Sequence, residues 1–146
     1  MKSILVAVDA SLRAPLVLAA GVDLAKRVDS KVRLLRVVGL PPDLPSSAWA
    51  MPPNLLVDDF LLTAKRELEE MARTIPHELF EGSDVKVGVA WDTICTEARA
   101  HDCDMIVIGS HGYGLLDRLV GTTAAKVVNH ADRSVLVVRS TKDEQH

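Results

Sequence analysis

Apolar residues recur along this chain in two rhythms that alternate from end to end. Ser3 to Asp9 is an unbroken apolar run closed by an acid. A run without polar alternation predicts a central strand covered on both faces. From Ser11 to Asp29 the spacing becomes four, with Leu16, Ala20, Leu24 and Val28 in step, which predicts a helix. Pro15 stands near its start, where a missing N–H costs little. Lys31 to Val38, rich in Val and Leu, predicts a second strand. Leu55 to Ile75 predicts a second helix with Phe60, Ala64, Leu68, Met71 and Ile75 turned inward, and Pro76 ends it. The charged run Lys65, Arg66, Glu67, Glu69 and Glu70 belongs to its solvated face. Asp84 to Ala90 alternates, Val85, Val87 and Val89 against Lys86 and Gly88, as expected of a half-exposed strand near a sheet edge. Asp92 is expected to cap a third helix that runs to about His101. Met105 to Ile108 leads into Gly109 as a fourth strand, Thr122 or Thr123 caps a fourth helix through about His130, and Ser134 to Arg139 forms a fifth strand.

The resulting order, βαβαβαβαβ, implies an α/β fold with an open parallel sheet, helices on both faces and right-handed crossovers. In such folds a ligand sits beyond the carboxyl ends of the strands, where the winding reverses. First and fourth strands are expected to be neighbours there. Asp9 and Gly109, about a hundred residues apart, would then share one crevice. One domain is expected over 1–140, followed by a polar tail, 141–146, expected to be disordered. Gly39 to Asn54 breaks the pattern with Pro41, Pro42, Pro45, Pro52 and Pro53. So long a connection is either a surface crossover whose Trp49 packs on the body, or a flap over a ligand or a partner contact.

At 146 residues the chain can bury a sizeable core without disulfides or metals. Aromatics make up 3% of it, so that core must come from Val, Leu, Ile and Ala. A formal net charge of −3 argues against nucleic-acid binding, which needs a basic face. Cys95 and Cys103 form neither a Cys-x-x-Cys pair nor a disulfide framework and read as reduced thiols. There is no leader-like N-terminal segment and no apolar run of membrane-spanning length, so a soluble, cytoplasmic protein with no membrane partner is expected.

The candidate chemistry comes after the fourth strand. Gly109, Gly112 and Gly114 stand directly beyond it, and Gly121-Thr122-Thr123 then opens a helix. Glycines let backbone N–H groups approach a ligand closely, and a helix start offers unpaired N–H groups with a partial positive charge. Together they make a phosphate cradle. The stretch is not a P-loop, because no Gly-Lys-Ser/Thr comes after the first glycines. It is not the dinucleotide fingerprint, because the third glycine is missing and the loop succeeds the fourth strand instead of the first. No metal-ligand spacing and no nucleophile elbow appear.

Ile4 to Asp9, Leu35 to Val38, Met105 to Gly112, Gly121-Thr122 and Ser134 to Arg139 together resemble the universal stress protein family, UspA-like, in its ATP-binding branch. The likeness covers nearly the whole chain. That family's signature is glycine, two residues, glycine, nine residues, glycine, then Ser or Thr. The resemblance implies a three-layer, adenine nucleotide alpha hydrolase-like fold of five parallel strands in the order 3-2-1-4-5. It also implies a homodimer that pairs its last strands, Ser134 to Arg139, across a twofold axis. By position it implies that Asp9 meets the ribose, with Ala7 and Val8 along that wall, and that Val37 offers backbone groups to the adenine edge. Gly109 and Gly112 would let backbone approach ribose and phosphates, and Gly121, Thr122 and Thr123 would hold the outer phosphates. The implied ligand is ATP, or ADP or AMP, with Mg²⁺ beside the phosphates. The chain departs from the signature once, with eight residues between Gly112 and Gly121. In a helical segment one residue fewer turns the next part of the chain by about 100° or shortens the segment by about 1.5 Å; Gly114 gives the loop freedom to absorb that.

Three functions compete. A regulatory stress-response dimer that holds nucleotide is the first, a weak ATPase the second, and an adaptor dimer with an empty pocket the third. Asp9, His111 and Asp117 are the only groups in this region suited to activating a water, and their spacing is not diagnostic of hydrolysis. His111 and Arg118 are either phosphate neighbours or ordinary surface residues. The related ATP-pyrophosphatase group carries Ser-Gly-Gly-x-Asp-Ser after its first strand, where this chain has Val8 to Arg13, which weakens the enzyme reading.

Overall fold

The computed structural model describes residues 1–39, 53–110 and 121–139. The remaining expectations, for the proline-rich connection with Trp49, for His111, Gly112, Gly114, Asp117 and Arg118, and for the tail 141–146, lie outside the described residues. The elements run β1 (Ser3–Val8), α1 (Ala14–Val28), β2 (Lys31–Val38), α2 (Pro53–Ala72), β3 (Phe80–Val87), α3 (Ala90–Ala100), β4 (Met105–Gly109), α4 (Thr122–His130) and β5 (Ser134–Val138). They form one five-stranded sheet, order β3-β2-β1-β4-β5, with every pairing parallel. The α/β class, the strand order and the helices on both faces are as the sequence leads one to expect.

β1 is buried along its whole length because both its faces are covered. Ile4, Val6 and Val8 join one core with Val32 and Leu34 of β2, Val17 and Leu18 of α1 and Leu68 of α2. Leu5 and Ala7 point the other way, into a second core with Leu35, Ile106 and Ile108 of the sheet, Ile94 and Ala98 of α3 and Ala124 and Val127 of α4. Two apolar layers thus clamp the sheet.

Several local expectations need correction. The buried face of α1 is Ala14, Val17, Leu18, Gly21 and Ala25, one step round from the stripe read in the sequence, and Val28 is exposed. Gly21 explains this: a Cβ there would stand 2.5 Å from Val6 Cγ2, so the helix settles on its smallest side chain. On α2, Ala64 and Leu68 are buried and Met71 packs against the core, but Phe60 is exposed. That helix begins at Pro53, within the connection expected to run to Asn54, and proline suits a first helical position. β3 starts at Phe80, four residues before the alternating stretch, and stops at Val87. Asp92 does not cap α3; Val89 is the N-cap and Asp92 sits in the first turn. Neither Thr122 nor Thr123 caps α4, whose N-cap is Gly121. No helix among the described residues is long and apolar enough to cross a membrane.

Candidate functional site

The strand order places the carboxyl end of β1 beside that of β4, with Ala7 in register with Ile108. β1 leads to α1 on one face of the sheet, and β4 leads towards α4 on the other. The chain therefore parts at this point, and a crevice opens between the two exits.

That crevice is a cavity of about 390 Å³, within the roughly 300–1,000 Å³ usual for small-molecule sites. Ala7, Val8 and Asp9 form the β1 wall and Ile108 and Gly109 the β4 wall. Val37 borders it from β2, and Thr122, Thr123 and Ala124 from the start of α4. Asp9 is exposed, and its Oδ1 accepts the Ser11 N–H at 2.9 Å, a turn that fixes where its carboxylate leaves the strand. Ser11 Oγ in turn accepts the Arg13 N–H at 3.2 Å, so the bend from β1 into α1 is held by side chains.

The α4 wall carries the electrostatics. The first bond of its ladder is Ala125 N–H to Gly121 C=O, 2.9 Å. The N–H groups of Thr122, Thr123 and Ala124 precede that ladder and have no acceptor within the helix. The N-cap residue, Gly121, supplies no side-chain cap, and all three residues line the cavity. The positive end of the helix dipole thus faces the crevice, the arrangement that attracts an anion. Gly121 is buried one residue behind, and its N–H donates to Ser110 C=O at 3.0 Å. Ser110 N–H donates to Val138 C=O at 2.9 Å. The two ends of the glycine-rich segment are therefore tied together and anchored to the last strand.

Of the residues singled out in the sequence, Ala7, Val8, Asp9, Val37, Gly109, Thr122 and Thr123 all border this one cavity. Gly121 supports it from behind, and Gly112 lies outside the described residues. Sequence reasoning overlooked Ala14 and Val17 of α1, Ala90 and Ile94 of α3, and Ala124. Their signal was available: small or branched apolar residues at the first turns of the helices that come after β1, β3 and β4, which in this topology all start at the same rim.

A profile described as the universal stress protein family matches residues 1–139. The chain is 32% identical over 130 residues to a universal stress protein of Methanocaldococcus jannaschii, covering 84% of this chain and 73% of that one. Its matches span 41% of a universal stress protein A-like protein of Arabidopsis thaliana and 64% of a universal stress protein A homolog of Coxiella burnetii, less than two thirds of either. Among solved structures it is similar to the universal stress protein UspA from Lactobacillus plantarum, with a TM-score of 0.77 and 27% identity over 94% of this chain and 97% of that one. It is also similar to the universal stress protein from Archaeoglobus fulgidus in complex with dAMP, with a TM-score of 0.64 and 25% identity over 95% of this chain and 98% of that one.

Proposed function

This chain belongs to the universal stress protein family, and from that premise we propose that it is a cytoplasmic regulatory protein, one domain over 1–140, that holds an adenine nucleotide in the β1–β4 crevice. One observation carries the reading: Thr122, Thr123 and Ala124, whose N–H groups have no acceptor within α4, line the same cavity as Asp9. An adenosine phosphate has a diol at one end of its ribose and an anion at the other, and such a site answers both. Asp9 accepts from the ribose hydroxyls. Val37 meets the adenine edge through its backbone, and Ala7, Val8 and Ile108 supply apolar wall. Gly109 and Gly112 admit backbone to the ribose and phosphates, and Gly121, Thr122 and Thr123 hold the outer phosphates. Mg²⁺ accompanies a triphosphate, offsetting its charge against Asp9. The dAMP complex of the Archaeoglobus relative supports the nucleotide class. The ligand carried over here is ATP, with ADP and AMP as the shorter alternatives.

The same proposal includes a homodimer. β5 is an edge strand with Ser134 and Leu136 exposed, and Val128 on α4 is exposed as well. Edges invite pairing, and a second copy of β5 across a twofold axis satisfies this one.

Mass spectrometry of small molecules released from the denatured protein, followed by calorimetric titration with ATP, ADP and AMP, tests the reading. Adenine nucleotide bound at one per chain is expected. A Gly121→Val variant is expected to lose binding while keeping its far-UV spectrum and oligomeric state. Retention of full affinity by that variant would remove the cradle from the argument. No binding of any adenine nucleotide would leave the adaptor reading. Turnover of labelled ATP addresses the enzyme reading, for which Asp9 is the one candidate group among the described residues.

A further inference from the structure

At the end of α3 away from the crevice, α3 and β3 bring three side chains together that the nucleotide reading does not use. His101 Nε2 lies 3.2 Å from Glu97 Oε2 and 3.9 Å from Asp84 Oδ2. One donor atom from each of the three falls within 4.8 Å of the others. We propose that Asp84, Glu97 and His101 bind a divalent transition-metal ion, zinc in the first instance.

The distances carry the proposal. A tetrahedral zinc holds nitrogen and oxygen donors at about 2.0–2.2 Å, which sets adjacent donors about 3.3–3.6 Å apart. The two imidazole–carboxylate separations here, 3.2 and 3.9 Å, bracket that spacing. Side-chain rotation has to bring the three donors, which lie within 4.8 Å of one another, onto one face of a coordination tetrahedron. Glu97 and His101 are four residues apart at the end of α3, so they share one face of the helix, and Asp84 reaches them from β3. Asp84 and His101 side chains are 38% and 32% exposed, which leaves an entry path and a place for water as fourth ligand.

The chemistry selects the ion. One imidazole nitrogen with two carboxylates suits zinc, whereas calcium and magnesium take all-oxygen shells. The surrounding charge permits a cation. Lys86 Nζ stands 3.8 Å from Glu97 Oε1, the oxygen turned from His101, so it need not leave when Oε2 takes the metal. Arg33 lies 3.3 Å from Asp84 Oδ2 and 3.8 Å from Glu81 Oε1. It can pass to Glu81 and the second oxygen of Asp84. Three carboxylates, Glu81, Asp84 and Glu97, thus face two fixed cations, Arg33 and Lys86. The site also sits at the negative end of the α3 dipole, which favours positive charge. Occupancy would cross-link α3 to the edge strand β3.

Calorimetric titration of zinc into the untagged full chain, freed of metal by chelator, tests this. One zinc per chain is expected, and cobalt in its place is expected to give the visible absorption of a tetrahedral site. Loss of an outer-shell partner alone weakens metal affinity about 10–100-fold, so His101→Ala or Glu97→Gln is expected to weaken zinc by at least about 100-fold. His130→Ala is expected to bind as the parent does. Glu97→Gln keeps the shape of the side chain and serves should His101→Ala fail to fold, as judged by its metal-free melting curve. Absence of zinc binding by the parent, or equal binding by a folded Glu97→Gln or His101→Ala variant, overturns the assignment.

Discussion

Gly21 and Arg133 show how single side chains set the packing. A methyl group on Gly21 would be driven against Val6 in the middle of the buried first strand. Gly21→Ala is expected to lower stability in urea denaturation by about 1–2 kcal/mol, because overpacking outweighs the helix propensity gained. Arg133 donates to the C=O groups of Ala98 and Cys103, at 2.9 and 2.6 Å, and so closes the end of α3 from the far side of β4. Removing it leaves both acceptors without that donor, and Arg133→Ala is expected to cost about 1–3 kcal/mol in the same measurement. Asp104 accepts the N–H groups of Ser3 and Lys2, and these bonds hold its carboxyl below the ordinary carboxylate range. A pKa lowered by folding means that the contribution is present above the unfolded-state value and disappears as pH falls through the folded one. Asp104→Asn is therefore expected to flatten the acid side of the stability–pH curve and to leave its shape near neutrality unchanged. Burial raises the thiol pKa of both Cys95 and Cys103. Both thiols are expected to resist a disulfide reagent at pH 8 in the folded protein and to react at once in denaturant.

At the scale of elements, strands and helices were legible where one rhythm ran long enough, and boundaries failed where the deciding contact came from elsewhere. β1 announced itself because both its faces are apolar. The start of β3 did not: Phe80-Glu-Gly-Ser carries no alternation, and it is a strand only because β2 pairs with it, through an irregular register between Val32 and Arg33. The starts of α3 and α4 misled for a different reason. Asp92 and Thr122 are residues that favour capping, but Val89 and Gly121 stand at the cap positions, and the first-turn residues of α4 line the cavity. A helix start kept free of a side-chain cap is available to a ligand. β5 has no strand on its outer side among the described residues. Leu136→Asp, placed on its exposed face, is expected to shift the proposed dimer to monomer in analytical ultracentrifugation while nucleotide binding persists.

For the molecule as a whole, the proposed site has a thermodynamic signature. A ligand that binds only the folded state at 100 times its Kd adds about 2.7 kcal/mol. Saturating adenine nucleotide is therefore expected to raise Tm by several degrees in calorimetry, and Gly121→Val is expected to abolish the rise. The topology produces that site by bringing Asp9, Gly109 and Thr122 to one rim, although the chain keeps them as far as 113 positions apart. Alternating rhythm alone determined the number and type of the elements and the parallel sheet, because burying one or both faces of a strand or helix imposes a period that composition must obey. Tertiary structure alone decided which face of α1 is buried, that Thr122 lines the same cavity as Asp9, and that Asp84, Glu97 and His101 meet. Those facts depend on distances between segments that no local period encodes.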